Sequence, residues 1–367
     1  MRIVWTMLAF ACTSPAPAAP AAPAAPAAPP SLDLIASTAL PQGSRFQGIA
    51  VGGLSGLDRL PNGDYLAISD DKGDGRPPRY YRLAIRIDAP RHRMQVRIKQ
   101  QIVLRDAQGI PFPTDRMVID PEAVRHLGGG HVLWSSEGTW RSDPADRTQP
   151  AMYEGDAKGR ILHGFALPDA YLYADNRTRG AESNGVLEGL AVTPDGGIFA
   201  LNEVPAFEDR PVAGGATAPA LHRLTRFDPT TRRPTGQYVY AEPDARYSVS
   251  ELLAVDDHRF LTIERATPFD MKQGVHARIV LSTLASDTSD VLACPALPRC
   301  AAVPMRREVL LDLPGRYRGV LIDNLEGLAW GPRLADGRRT LIAESDDNFS
   351  KEERSQFLAF AWSEPKG

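Results

Sequence analysis

Four glutamates and one serine recur at one place in a repeated pattern, and they are the residues in this chain best suited to do chemistry. The pattern runs acid or Ser, small or apolar residue, Leu or another apolar residue, a Gly/Asp/Asn turn, an apolar run and a closing acid. It opens at Ser55, Glu122, Glu188, Glu251 and Glu326. The third copy is the clearest: Glu188-Gly189-Leu190-Ala191-Val192, the turn Pro194-Asp195-Gly196-Gly197, then Ile198 through Glu203. If the five leads converge, like charges in partial burial raise one another's pKa and destabilise the fold. A bound cation relieves that repulsion. Oxygen ligands without Cys or His suit a hard ion, and a flexible ring of roughly six to eight oxygens suits Ca²⁺ better than Mg²⁺. Ca²⁺ is therefore expected near a common axis, held by Ser55, Glu122, Glu188, Glu251 and Glu326. The alternative is that each Glu accepts backbone N–H groups or pairs with an Arg of the next repeat.

The closing ends of the copies carry a second set of acids: Asp70, Asp71, Glu137, Glu203, Glu264, Glu344, Asp346 and Asp347. Lys72, Arg79, Arg141, Arg265 and Lys351 lie close by in sequence. Acids, a metal and cations on one face suit a small anionic ester, with a phosphate ester the leading candidate. Glu203 or Glu264 is expected to activate water, and Arg265 to clamp the anion. For any one of these basic residues the alternative is an ordinary ion pair on a solvated rim.

The elements that must position these residues follow from the repeat itself. The leads are spaced by 67, 66, 63 and 75 residues. The 24 residues from Ser31 to Ser55 and the 41 after Glu326 together make one further period. Each copy reads as strand, tight turn, strand, and each period is long enough for four strands. The prediction is an all-β fold, a closed β-propeller of five blades, with six blades as the alternative. Lead and closing residues lie 15, 15, 15, 13 and 18 residues apart. An antiparallel hairpin brings both to the same end, so every blade delivers two polar side chains to one face.

Composition narrows the function. Lys plus Arg is 42 and Asp plus Glu is 45. A balance this even excludes a general nucleic-acid binder, and no apolar run approaches the length of a membrane span. Residues 1–12 resemble a bacterial export signal, with Ala9-Phe10-Ala11-Cys12 as an imperfect lipobox. Lipidation at Cys12 and simple secretory cleavage are the two readings, so the protein is expected to be periplasmic or anchored to the cell envelope. Residues 13–31 form an Ala/Pro-rich, extended spacer, and 32–367 form one domain. Cys294 and Cys300 are expected to form a disulfide. A closed ring leaves no sheet edge to satisfy, so a monomer is expected.

Several chemistries are excluded. Ser55 lies in Gly53-Leu54-Ser55-Gly56-Leu57, which lacks the second Gly of a nucleophile elbow. The chain has no P-loop, H-E-x-x-H or EF-hand loop.

The motifs GGLSGLD (52–58), AISDD (67–71), DPEAV (120–124), NGVLEGLAV (184–192), ALNE (200–203), SELLAV (250–255), TIER (262–265), NLEGLAW (324–330) and AESDDNF (343–349) resemble the phytase-like, "esterase-like activity of phytase" family. The resemblance spans about 33–362 and implies a β-propeller with phosphoester or ester hydrolysis. The ring of Glu and Ser also resembles the calcium-activated nucleotidases (apyrases), five-bladed propellers with an axial Ca²⁺. Two rivals stand beside a calcium-dependent hydrolase. One is a non-catalytic, calcium-stabilised binding propeller; the other is a lactonase-like propeller drawing on Asn184, Asn202 or Asn324.

Overall fold

The computed structural model describes Met1 and residues 29–73, 75–211, 218–266, 268 and 271–364. Cys12, the rest of the expected export signal after Met1, and residues 13–28 of the spacer lie outside the described residues.

Five four-stranded antiparallel sheets make the five blades. Blade one is Leu54–Arg59, Tyr65–Ser69, Arg79–Asp88 and Arg93–Val103. Blade two is Pro121–Gly128, His131–Ser136, Ala151–Asp156 and Ile161–Gly164. Blade three is Gly189–Val192, Ile198–Leu201, Ala220–Phe227 and Pro234–Glu242. Blade four is Ser248–Ala254, Arg259–Ala266, His276–Thr283 and Arg306–Leu313. Blade five takes Asn324–Arg333, Arg339–Asp346 and Gln356–Ser363 from the end of the chain, and its outermost strand, Ser31–Ala39, from the beginning. The inner strands contact one another in cyclic order, the fifth meeting the first. The ring therefore has five blades, not six, and the two part-periods at the chain ends complete one blade.

The second strand of each blade is apolar on both faces because it lies between neighbouring blades. Tyr65–Ser69 is buried at every residue, as is Ile198–Leu201. Five of the six core clusters accordingly lie at blade interfaces, one at each. Leu66, Ile68, Val124 and Trp134 join blades one and two, and Phe199, Leu224, Leu252 and Phe260 join three and four. Leu57, Ala67, Ile342 and Phe357 hold the fifth blade against the first.

Cys294 and Cys300 are joined, with Cα atoms 6.3 Å apart. They lie in the insertion between the third and fourth strands of blade four. That insertion docks on blade three through Val291 and Leu297 against Val239, a bond from Arg223 Nη1 to the Cys294 carbonyl (3.1 Å), and one from Leu297 N–H to Asp209 (2.8 Å).

Candidate functional site

The first strand of blades one, two, four and five opens with a register shift against the second strand. The shifts fall at Leu54/Gly56, Pro121/Val124, Val249/Glu251 and Leu325/Gly327. A bulge re-aims the extra residue, so these shifts single out the side chains at the start of the innermost strand. In blades one and five the residue passed over is the expected lead, Ser55 or Glu326. In blade four it is Ser250, and Glu251 sits where the other blades carry Gly56, Ala123, Gly189 and Gly327. The structural leads are therefore Ser55, Glu122, Glu188, Ser250 and Glu326.

The same registers align Asp70, Glu137, Glu203, Arg265 and Asp346 as the closing residues. Arg265 occupies the place that is acidic in the other four blades, and Glu264 precedes it on the opposite face of the strand. A third position completes the site. Three closing residues bond the residue two before the lead of the next blade. Val186 N–H bonds Glu137 Oε1, Ser248 Oγ donates to Glu203 Oε1 (2.7 Å), and Arg265 Nη1 bonds Asn324 Oδ1. Between blades five and one the neighbouring Asp347 takes this part, accepting from Gly53 N–H (2.8 Å).

The outcome is a funnel of carboxyl groups with two cations. Arg265 Nη2 lies 2.9 Å from both Glu203 Oε1 and Glu326 Oε1, and Lys72 Nζ lies 2.6 Å from Asp120. Ser55 Oγ donates to Glu122 Oε2 (2.9 Å), and Asn324 Nδ2 to Glu326 Oε1 (2.9 Å). Asp120, Glu122 and Glu137, all from blade two and all buried, bring one oxygen each within 4.8 Å of the others. Asp120 Oδ1, Glu188 Oε2 and Asp70 Oδ1 are buried without a hydrogen-bond donor. Burial, and then mutual repulsion, hold Glu122, Glu188, Asp70 and Asp346 well above the usual carboxyl range and push Glu137 up to about 8. Orphaned oxygens, hard ligands and excess negative charge form a donor set that fits a hard cation.

Glu251 serves a different purpose. Arg125 Nη2 lies 2.5 Å from Glu251 Oε1, and the same guanidinium bonds the carbonyls of Leu57, Val124 and Leu252 at 2.8 Å each. Glu251 also accepts from Leu252 N–H (2.6 Å) and Leu328 N–H (2.8 Å). Burial raises its pKa to about 7, with Arg125 and the two N–H groups working against it. This ion pair ties together inner strands of blades one, two, four and five, and it places Glu251 with Arg125 rather than in the acid ring.

Glu264 is likewise placed away from the funnel, at the interface of blades three and four. Arg307 Nη2 lies 2.6 Å from it, Tyr240 O–H donates to it, and Glu242 adjoins it with Arg278 beside them. Its expected role in activating water is corrected on that ground. Burial and the Glu264 charge push Glu242 up to about 8. Despite burial, Glu264 itself is held below its ordinary value by hydrogen bonds from Glu242, Arg307 and Tyr240. The unfolded chain ionises Glu242 near the ordinary glutamate value, whereas the fold keeps it protonated until about pH 8. Its contribution to stability therefore falls as pH rises from about 4.5 to 8 and is level above that. Glu242→Gln is expected to flatten the decline in Tm across that window, as read by calorimetry at pH 5, 6, 7 and 8. An unchanged slope refutes the assignment.

Among the other expected cations, Arg79 is fully buried and structural, bound to Asp71 (2.7 Å) and to the Ala50 and Pro77 carbonyls. Asn324 lines the funnel. Asn202 turns away to bond Arg223 N–H (2.6 Å) and the Val204 carbonyl.

The chain trace is similar to several solved propellers. The exo-β-1,3-galactanase of Phanerochaete chrysosporium shares 7% identity over 90% of this chain and 64% of its own, with a TM-score of 0.48. A GH43 enzyme of Xanthomonas citri shares 13% over 88% of this chain and 89% of its own, with a TM-score of 0.46. The aldose sugar dehydrogenase of Streptomyces coelicolor shares 13% over 92% of this chain and all of its own, with a TM-score of 0.36. No curated protein matches the sequence. The model of the phytase-like family, "esterase-like activity of phytase", matches residues 49–349, a span that holds every lead and closing residue of the funnel, and the chain belongs to that family.

Proposed function

We propose that this protein is an exported, calcium-dependent hydrolase of small phosphate esters or related anionic esters, acting at the funnel. The observation that carries the reading is the buried trio Asp120, Glu122 and Glu137, whose oxygens converge within 4.8 Å. Ser55 and Glu188 would complete the ligand set, with Glu326 nearby. When bound there, a hard cation supplies charge neutralisation and polarisation of the phosphoryl or acyl oxygen. Lys72, about one-third exposed on its side chain, is the cation best placed to meet an incoming anion. Arg265 holds Glu203 in place and contributes positive charge. Glu203, fixed through Oε1 by Ser248 and Arg265, is the candidate base for water. The Cys294–Cys300 bond supports an oxidising, extracytoplasmic setting. Attachment through Cys12 and a monomeric state belong to the same proposal.

Calcium-loaded protein is expected to hydrolyse p-nitrophenyl phosphate, a nucleotide or phytate. Glu203→Gln should lower kcat by about 10²–10⁴ with a smaller change in KM. One observation favours a second reading, a calcium-stabilised binding propeller without catalysis. The Arg265 guanidinium is already bound to Glu203, Glu326 and Asn324. If loaded protein binds calcium yet turns over none of the three substrate types, that reading replaces the hydrolase.

A further inference from the structure

Lys72 meets the blade-two trio at one point. Its ammonium lies 2.6 Å from Asp120 Oδ2, while Asp120 Oδ1 is buried without a hydrogen-bond donor. Asp120 is also one of the three acids whose oxygens converge within 4.8 Å. Among the described residues, Lys72 is the ion-pair partner of the trio, and it reaches Asp120 alone.

The two cations of the funnel are held differently. Arg265 is gripped by Glu203, Glu326 and Asn324, and its side chain is 11% exposed. Lys72 has a single acid partner, and its side chain is 35% exposed against 7% for Asp120. The lysine stem is a flexible four-carbon chain, and its ammonium is readily hydrated. An ion pair with that much access to water costs little to break.

The backbone beneath Lys72 is fixed. Asp71, just before it, accepts from Arg79 Nη1 (2.7 Å) and from Arg76 Nε. Gly73, just after it, has φ of +88°, and a Cβ there would lie 2.8 Å from the Pro113 carbonyl oxygen. Gly75 N–H bonds the Thr114 carbonyl (2.9 Å). Both neighbours of Lys72 are anchored, so its side chain can change rotamer while the loop stays in place.

A hard divalent cation in the trio needs the Asp120 carboxylate as an oxygen ligand. An ammonium on that same carboxylate competes for it, and two cations so close repel each other.

We propose that Lys72 is an exchangeable counter-ion. It pairs with Asp120 while the trio holds no metal, and uptake of a hard divalent cation of the Ca²⁺ class releases its ammonium toward the mouth of the funnel, where it becomes a contact for an anion. The proposal rests on the reading that the trio binds such a cation, and it adds an order of events: metal first, anion second.

The test is reductive methylation of lysine in full-length protein with and without CaCl₂, read residue by residue by peptide mass spectrometry. Calorimetry on the same samples measures calcium binding. Lys158, exposed in the turn between the last two strands of blade two, is the control. Calcium is expected to raise labelling of Lys72 several-fold and to leave Lys158 unchanged. Lys72→Met is expected to bind calcium several-fold more tightly than wild type, because no ion pair has to be broken first. Should Lys72→Met fail to fold, the wild-type labelling decides alone. Bound calcium with unchanged Lys72 labelling, or equal affinity in Lys72→Met, overturns the exchange and leaves the metal reading standing. No bound calcium overturns the metal reading itself.

Discussion

Arg125→Ala is expected to destabilise the fold by about 3–5 kcal/mol, the loss associated with stranding a buried charge. Its side chain and that of Glu251 are 3% and 1% exposed, so water cannot replace the lost partner. The guanidinium also bonds carbonyls in blades one, two and four, and Glu251 bonds the backbone of blade five. Its removal loosens four of the five inner strands at once. For a domain of this size the loss corresponds to roughly 4–7 °C in Tm. Replacing both partners by apolar residues, as in Arg125→Met with Glu251→Leu, should recover most of it, because the cost lies in the unpaired charge. Thermal melts of the single and double variants check this. A loss below about 1 kcal/mol for Arg125→Ala would show that the pair is not what joins the blades.

Glu122→Gln should reverse sign with calcium. Without metal, burial and the charges of Glu188, Asp120 and Glu137 disfavour an ionised Glu122, a penalty on the fold that Gln avoids. The metal-free variant should therefore melt above metal-free wild type. With calcium at a hundred times its Kd, wild type should gain about 2.7 kcal/mol, roughly 4 °C, and the variant much less. The two melting curves are then expected to exchange order on addition of calcium and return on chelation. Parallel curves, with no calcium response in wild type, would refute a metal at the blade-two trio.

The propeller and its five blades were legible because the repeat is written in apolar runs and turn glycines, which packing between blades requires. The second strands show this best: Tyr65–Ser69, apolar but for Ser69, and the wholly apolar Ile198–Leu201 are buried at every residue. Blade four misled because its acids stand one residue from where the other blades carry theirs. Pairing Glu251 with Glu264 gives a separation of 13, whereas Ser250 with Arg265 gives the 15 seen in blades one to three. Side chains alternate along a strand, so that single-residue offset sends both glutamates to other surroundings. The unequal spacing was the available signal. Asp120 and Ser248 were harder to see. The position two before each lead is filled by Gly53, Asp120, Val186, Ser248 and Asn324, which share no side-chain chemistry. What they share is contact with the preceding blade, a property of the assembled ring.

Glu344 was noticed as one of many closing acids, but its place depends on register. Only when Gly327 is set opposite it does it fall into line with Ile68, Leu201 and Ile263.

The strand Ser31–Ala39 lies outermost in blade five, and Ser31 pairs with Ser363. During synthesis this strand emerges long before its partner, Gln356–Ser363. At about 5–20 residues per second, some 20–60 s separate the two. Through that interval the growing chain carries an unmatched sheet edge at its front, and the ring cannot lock. Blades one to four can pair internally as they appear, but the circle forms only after translation of the final strand. A nascent chain of this architecture thus remains unlocked until Gln356–Ser363 has been made, and loss of that strand would leave Ser31–Ala39 with nothing to join.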